Sequence, residues 1–199
     1  MMNWTHKKTL KDSEVRFQKR YLDLIVNNAD VKQFFYTRAK IIRFLRSYLE
    51  ERNFLEVETP ILSSQAGGAL AKPFLTESQI LKQDLELRIA PELFLKKLII
   101  GGFERVFELG KVFRNEGIDA THNPEFTSLE FYMAYADYRD LISMTEDILS
   151  KLAIELYGSK KVLIPQFDMD QKILTRGEKT GETTKECLIK EYDFGGPYQ

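Results

Sequence analysis

The stretch RVFELGKVFRNEGIDATHNPEFTSLEFYMAYA occupies residues 105–136 and carries the strongest structural signal in the chain. Its two ends, residues 105–114 and 125–136, are rich in aromatic and branched side chains and therefore predict β-strands. The intervening residues 115–124 are polar and contain Gly117 and Pro124, as expected of a loop. A long antiparallel pair of strands is therefore predicted here.

Side chains alternate between the two faces of a strand, so residues 126–135 can be divided by parity. One set reads as a core face: Thr127, Leu129, Phe131, Met133 and Tyr135. The other set carries an aromatic ring, a carboxylate and a phenol among small residues: Phe126, Ser128, Glu130, Tyr132 and Ala134. The second set is suited to the wall of a pocket for a cationic, hydrogen-bonding ligand.

The first strand can add a basic group to that wall. Arg114 and Glu116 share a parity with Glu108, and hairpin pairing would turn them toward the same cleft as Glu130 and Tyr132. A guanidinium presents fork-shaped donors that match a phosphate or carboxylate. Parity alone favours an ordinary solvated sheet face that carries surface ion pairs, because exposed charged faces are common.

Helical patterns alternate with strand patterns through the rest of the chain. Apolar residues recur at helical spacing over residues 31–52, Pro91 suits the first turn of a shorter helix, and Asp137 is the expected N-cap of a second long helix that Gly158 closes. Further strands are predicted at residues 54–59, 85–89 and 160–164. This order predicts an α+β fold, with an antiparallel sheet flanked by helices, and not a parallel doubly wound sheet.

Three regions are expected along the chain. Residues 1–30 form a lead-in or linker, residues 31–164 a folded domain, and residues 165–199 an unassigned loop or disordered tail without clear periodicity.

No apolar run approaches the roughly 20 residues that span a bilayer, and the first residues lack the apolar segment of a secretory signal. A cytoplasmic location is expected, with a mitochondrial one as the alternative.

The composition excludes several kinds of site. With 29 basic and 30 acidic residues the formal net charge is −1, which argues against a surface that binds nucleic acid through bulk charge. A single cysteine, Cys187, excludes an internal disulfide, and two histidines exclude a His-rich metal site. Glycine-rich phosphate-binding loops are missing from the sequence. Any nucleotide must therefore be bound by arginines, a stacked aromatic ring and Mg²⁺.

Several segments, taken in order, resemble the lysyl-tRNA synthetases, a group of class II aminoacyl-tRNA synthetases. The matching segments are KDSEVR at 11–16, FLEVETP at 54–60, GGALAKPF at 67–74, RIAPEL at 88–93, FRNEGID at 113–119 with HNPEFT at 122–127, and EFYMAYADY at 130–138. FRNEGID with HNPEFT resembles motif 2 of the class, about residues 105–136, and FLEVETP resembles the dimer-forming motif 1, about residues 38–60.

The resemblance implies a lysine–tRNA ligase. Such an enzyme activates lysine with ATP to lysyl-adenylate, transfers the lysyl group to tRNA(Lys) with release of AMP and diphosphate, and acts as a homodimer through motif 1. Arg114 is the implied catalytic residue, because it would grip both the α-phosphate and the lysine carboxylate. The other implied ATP contacts are Glu116 for the adenine amino group, Phe126 for stacking, and His122 and Asn123 near the phosphates and ribose.

The resemblance also implies a lysine site. Glu92 would pair with the α-amino group under the backbone of Gly68, while Glu130 and Tyr132 would receive the ε-ammonium. A buried ammonium needs a carboxylate and hydrogen-bond acceptors to offset its desolvation. Each residue also has a structural interpretation, since Glu92 suits any first helical turn, Phe126 suits a core and His122 suits an exposed loop.

The sequence departs from the family pattern in several respects, among them the absence of an N-terminal anticodon-binding barrel and the presence of Lys72 where arginine is common. The Gly-x-Gly-x-Asp-Arg pattern of motif 3 does not occur, so the catalytic core is expected to be incomplete, weak or inactive alone, with no metal ligands of its own. The glycine usual before the motif 1 aromatic is Asn53 here. Two other functions stay open, namely a synthetase-like paralogue that attaches a lysine-type amino acid to a protein, and an inactive dimerisation or binding module.

Overall fold

The computed structural model describes residues 10–119, 121–165 and 189–195. These residues form two compact units, of which one comprises Leu45–Leu141 and the other the described residues on either side of it. The elements in chain order are α1 (Ser13–Gln18), α2 (Arg20–Val26), α3 (Asn28–Glu50), β1 (Leu55–Glu56), β2 (Leu62–Ser63), β3 (Leu75–Ser78), β4 (Gln83–Leu87), α4 (Glu92–Ile100), β5 (Arg105–Phe113), β6 (Glu125–Met133), α5 (Tyr138–Tyr157), β7 (Lys161–Pro165) and β8 (Ile189–Asp193).

Strands β5 and β6 form the predicted antiparallel pair. Their register runs without interruption from Arg105 opposite Met133 to Phe113 opposite Glu125. The sheet is not antiparallel throughout, because β1 joins the other edge of β5 in parallel. The chain passes through three strands and α4 between β1 and β5, and so long a crossover permits parallel pairing.

One face of the β5–β6 pair contributes to the core of this unit. Phe107 and Leu49 are completely buried, and Phe54 meets Phe131 edge to face with ring centres 5.8 Å apart. Burial of each such side chain contributes about 1.5–3 kcal/mol to stability. The predicted apolar face is thereby confirmed at Phe131 and is wrong for Tyr135, which follows β6 with a φ of 61° and is fully exposed.

The turn after α3 delivers Phe54 to that core. The backbone nitrogen of Asn53 donates to the carbonyl of Glu50 at 2.9 Å, and that of Phe54 donates to the carbonyl of Leu49 at 3.1 Å. These two bonds are a Schellman cap, which requires a left-handed residue after the helix. Asn53 fills that position with a φ of 61°, and asparagine tolerates it better than most residues other than glycine.

A second sheet, ordered β2-β4-β3, brings Arg88 to the end of β5. The backbone nitrogen of Arg88 donates to the carbonyl of Ile61 at 2.8 Å, and the Arg88 carbonyl accepts from the nitrogen of Phe113 at 3.0 Å. Strand β3 was not predicted, because Leu75–Ser78 is short and lies against a single neighbour. The sheet nevertheless fixes the segment that leads from β4 into α4.

Both predicted limits of α5 are confirmed. The Asp137 carboxylate accepts from the backbone nitrogens of Arg139 at 2.7 Å and Asp140 at 3.4 Å, as an N-cap does. After Tyr157 the chain reaches Gly158, whose φ of 74° stops the helix.

The expectations for the two ends of the chain need revision. The lead-in contains helices α1 and α2, joined by the buried Asp23, whose carboxylate accepts from Arg16 at 2.8 Å and Arg20 at 2.5 Å. The prediction of a structureless tail over 165–199 is wrong for Pro165, which lies in β7, and for Ile189–Asp193, which pairs with β7 as β8. The pairing was missed because the two strands are far apart in sequence. The remainder of that tail, with Cys187, lies outside the described residues.

Candidate functional site

The polar face of the β5–β6 pair gathers four of the nine predicted site residues, namely Arg114, Phe126, Glu130 and Tyr132. In the register Glu108 lies opposite Glu130, Val106 opposite Tyr132 and Val112 opposite Phe126, and directly opposed residues share a face. Glu130, Tyr132 and Phe126 therefore lie on one face, as their parity predicted.

Arg114 follows this parity one step beyond β5. Its backbone nitrogen donates to the carbonyl of Pro124 at 2.8 Å, and its guanidinium carbon lies 5.1 Å from the centre of the Phe126 ring. The predicted sharing of a face by Arg114, Glu130 and Tyr132 is thus confirmed. Glu116 is exposed at a bend in the loop beyond the paired strands, so strand parity does not determine its direction and its position at this face stays a prediction.

Backbone hydrogen bonds on both sides fix the position of Arg114 in the chain. The nitrogen of Phe113 donates to the Arg88 carbonyl at 3.0 Å, and the nitrogen of Asn115 donates to the Lys72 carbonyl at 2.7 Å. The side chain is less satisfied, because Nε of Arg114 is buried and donates to no acceptor among the described residues. A buried unpaired donor is costly, and an anionic acceptor placed there would remove that cost.

The acidic part of the face favours a cation. The Tyr132 hydroxyl donates to Oε2 of Glu130 at 3.3 Å. Burial raises the pKa of Glu130 above its ordinary value, and the charges of Glu92 and Glu108 raise it further. The hydrogen bond from Tyr132 and the charge of Arg114 lower it, but by less. Burial likewise raises the pKa of the Tyr132 phenol, with a further contribution from Glu130 and Glu92. A positively charged ligand would offset this concentration of negative charge.

Helix α4 and the loop before β3 bring Gly68 against Glu92. A Cβ on Gly68 would lie 2.8 Å from Cβ of Glu92 and 3.3 Å from Cβ of Ala90, and its φ is 90°, so only glycine fits. The loop is anchored nearby, since the nitrogen of Ala66 donates to Oε2 of Glu86 at 2.6 Å. The two residues that the resemblance assigned to the α-amino group are therefore neighbours.

Lys96 lies beside two of the candidate site residues and was not predicted from the sequence. Its ammonium donates to Oε1 of Glu92 at 2.6 Å and lies 6.0 Å from the centre of the Tyr132 ring. The signal was present in the sequence, because residues four apart on a helix are neighbours on its surface. Lys96 thus links α4 to the acidic face of the hairpin.

A buried ion pair on the same face was also missed. Arg88 and Glu108 are each 4% exposed and are bonded through Nη1 and Oε1. The Thr59 hydroxyl donates to Oε2 of Glu108 at 2.6 Å and accepts from Arg88 at 3.0 Å, while Nε of Arg88 donates to the Lys111 carbonyl at 2.8 Å. The available signal was Glu108 itself, a carboxylate between the branched residues of a predicted strand. We call this the Arg88 network: Thr59, Arg88, Glu108 and the Lys111 carbonyl.

The loop between β5 and β6 is closed by its own carboxylate. Asp119 accepts from the backbone nitrogens of Thr121 at 2.7 Å and His122 at 2.8 Å, and its Oδ2 lies 2.8 Å from Nδ1 of His122. The Thr121 backbone bond, followed by the bonds to His122, holds the pKa of Asp119 well below its usual range. His122 and Asn123 are exposed, and within the described part of the chain no hydrogen bond joins them to Arg114.

Two absences apply to residues 10–119, 121–165 and 189–195. No three His, Cys, Asp or Glu side chains there are grouped so that they could bind a metal ion. None of the helices in those ranges combines the length and the apolar character needed to cross a lipid bilayer.

Comparison with known proteins gives a family match and many relatives. Residues 12–193 match the family described as tRNA synthetases class II (D, K and N). Lysine--tRNA ligase cla4 of Cladosporium cladosporioides is 59% identical over 148 residues, which are 74% of this chain and 25% of that protein. A probable lysine--tRNA ligase, cytoplasmic, of Vairimorpha ceranae is 56% identical over 77% of this chain and 30% of its own length. A lysine--tRNA ligase of Roseiflexus sp. is 56% identical over 81% of this chain and 33% of its own length. The chain thus spans about a quarter to a third of the length of these relatives.

Proposed function

Because the chain belongs to the class II tRNA synthetases (D, K and N), we propose that it is the ATP- and lysine-binding part of a lysine–tRNA ligase. The observation that carries the proposal is the shared face on which the anion-binding group Arg114 lies with the acidic residues Glu130 and Tyr132. One substrate of the proposed reaction is a phosphate anion, and the other is an amino acid with two ammonium groups.

The proposed reaction joins two anions, and Arg114 is suited to bring them together. A carboxylate oxygen of lysine attacks the α-phosphorus of ATP, the bond from that phosphorus to the bridging oxygen breaks, and diphosphate leaves with the electron pair. A guanidinium between the reactants reduces their repulsion and stabilises the charge that develops on the phosphoryl oxygens. The unpaired Nε of Arg114 supports this role, and the adjacent Phe126 ring offers a surface for stacking of the adenine.

The acidic residues account for selection of lysine. Glu92, beside Gly68, would bind the α-ammonium, and Glu130 with Tyr132 would bind the ε-ammonium. Because burial and the neighbouring carboxylates raise the pKa of Glu130, a bound ammonium would stabilise its ionised form. A neutral side chain of similar size would leave that carboxylate unpaired, which is the basis for rejecting it.

The remaining parts of the proposal rest on the family. The proposed acceptor of the lysyl group is tRNA(Lys), and the proposed assembly is a homodimer formed through motif 1. The proposed core contains motifs 1 and 2 but not motif 3. The cytoplasm is the proposed compartment because the relative from Vairimorpha ceranae is named as cytoplasmic. Mg²⁺ accompanies ATP in this proposal, and the described residues contain no cluster that could form a metal site of their own.

Calorimetric titration of the chain with ATP tests the role of Arg114. Arg114→Ala should weaken ATP binding about tenfold to a hundredfold, because a hydrogen bond to a charged group contributes about 1.5–3 kcal/mol. Arg139→Ala is the matched control, since Arg139 is exposed and contacts Tyr138 at the start of α5. Equal ATP affinity in the two variants would remove Arg114 from the proposed site.

A second assay tests the acceptor. A parent protein extended at both ends, in which the core is complete, should transfer labelled lysine to tRNA in the presence of ATP, whereas this chain alone should be weak or inactive. Transfer to protein alone would favour the synthetase-like paralogue instead.

A further inference from the structure

The two oxygens of Glu92 have different surroundings. Oε1 accepts from the Lys96 ammonium at 2.6 Å. Oε2 is directed toward Gly68, where it lies 3.6 Å from the position that a Cβ would take. One oxygen is therefore bonded within α4, and the other is presented to the backbone beside which the α-ammonium of lysine is proposed to bind.

The Lys96 ammonium is itself restrained from two sides. It bonds to Glu92 one helical turn earlier, and it lies 6.0 Å from the centre of the Tyr132 ring on β6. The Lys96 side chain is 53% exposed and that of Glu92 is 30% exposed, so the pair lies at the rim of the acidic face. Ion pairs at such positions contribute modestly to stability, but they can still select one orientation of a carboxylate.

We propose that Lys96 is a positioning residue that determines specificity for the α-amino group, by fixing Glu92 with one oxygen directed toward that group. The inference rests on the proposed function, because it presumes that lysine binds against Gly68 and Glu92. A carboxylate that is already oriented loses less rotational freedom when the ligand binds, so its affinity for the ammonium is higher.

The charge of Lys96 acts in the opposite direction, since it repels the ligand's ammonium. That repulsion is the weaker effect, because the Lys96 ammonium bonds to the oxygen that the ligand does not use and solvent screens a half-exposed charge. Removal of Lys96 should therefore weaken lysine binding and not strengthen it.

The adjacent Lys97 supplies a matched control. It belongs to the same turn of α4 and is also exposed, but its ammonium lies 5.3 Å from the centre of the Phe94 ring and forms no ion pair with Glu92 among the described residues. Lys97→Met thus removes the same charge from the same helix without touching the Glu92 carboxylate.

Calorimetry with two ligands tests the inference on the whole chain. Lysine is compared with 6-aminohexanoate, which retains the carboxylate and the terminal ammonium but lacks the α-ammonium. Lys96→Met should weaken lysine binding roughly twofold to fivefold, the range that exposed ion pairs contribute, and leave 6-aminohexanoate unchanged. Lys97→Met should change neither affinity, and Lys96→Arg should retain the affinity for lysine.

The other outcomes separate this inference from the function on which it rests. Lysine affinity in Lys96→Met that equals or exceeds that of the unaltered chain would overturn the role of Lys96 alone. Equal weakening of both ligands would also overturn it, because the residue would then act on the site as a whole. If the unaltered chain bound no lysine, the proposed function and this inference would both be wrong.

Discussion

The Arg88 network and the loop around Asp119 are both polar and both contact the β5–β6 pair, but they are restrained in different ways. In the network, side chains from residues 20 and 49 positions away bond to Glu108, which is 4% exposed. In the loop, Asp119 is exposed, and all its hydrogen-bond partners among the described residues lie within three positions of it in the sequence. The network therefore fixes the strand that leads to Arg114, whereas the loop maintains only its own turn.

The largest expected effect comes from breaking the network. Glu108→Gln removes a buried charge and leaves the Arg88 guanidinium buried without its partner, which should lower the free energy of unfolding by about 3–5 kcal/mol. The control is Glu125→Gln on the neighbouring strand, because Glu125 pairs with Lys111 in an exposed ion pair that should contribute at most about 1 kcal/mol. Urea denaturation of both variants measures the difference. Similar losses would show that burial does not distinguish the two pairs.

Substitution of two glycines extends the comparison, with an expected effect on stability of intermediate size. A Cβ at Gly110 would lie 2.6 Å from Nη2 of Arg88, whereas a Cβ at Gly117 in the loop would meet nothing within 4 Å. Gly110→Ala should therefore destabilise the protein by about 1–3 kcal/mol through overpacking. Gly117→Ala should stay within about 0.5 kcal/mol. Thermal unfolding of the pair measures this, and a neutral Gly110→Ala would mean that Arg88 moves aside at no cost.

The smallest effect is expected in the loop. Asp119→Ala should leave the midpoint of global unfolding unchanged, while hydrogen exchange at the amides of Thr121 and His122 becomes faster. The pKa of Asp119 is held below its usual range, so the stabilisation it gives is present above pH 3.8 and is lost only as the pH falls through the lowered value. Amide protection in the unaltered chain that disappears already above pH 3.8 would contradict this assignment.

Local pattern was sufficient for the hairpin and for the limits of α5. Alternation of side chains placed Glu130 and Tyr132 on one face, and Asp137 and Gly158 marked the start and end of the helix, because strand faces and helix caps depend on residues close in sequence. The roles of Glu116, His122 and Asn123 toward ATP stay predictions, since their positions in the loop do not depend on the strand period.

The features that were missed depend on distant partners. Strand β8 is identified only by its pairing with β7, and Lys96 becomes part of the site only because α4 packs beside β6 and brings its ammonium near Tyr132. No local period carries such information.

Residue order alone determined which side chains share a face of the hairpin, and it placed Arg114 on the same face as Glu130 and Tyr132. It also showed that segments resembling those of a lysyl-tRNA synthetase occur in the expected order. Packing of separate elements decided that Arg88 neutralises Glu108 on that face, that Gly68 touches Glu92, and that Lys96 bonds to one oxygen of Glu92. The physical reason is how far apart in the sequence the interacting residues lie. Strand parity is set by adjacent backbone units, whereas the pairing of charges requires segments that meet only after the chain has folded.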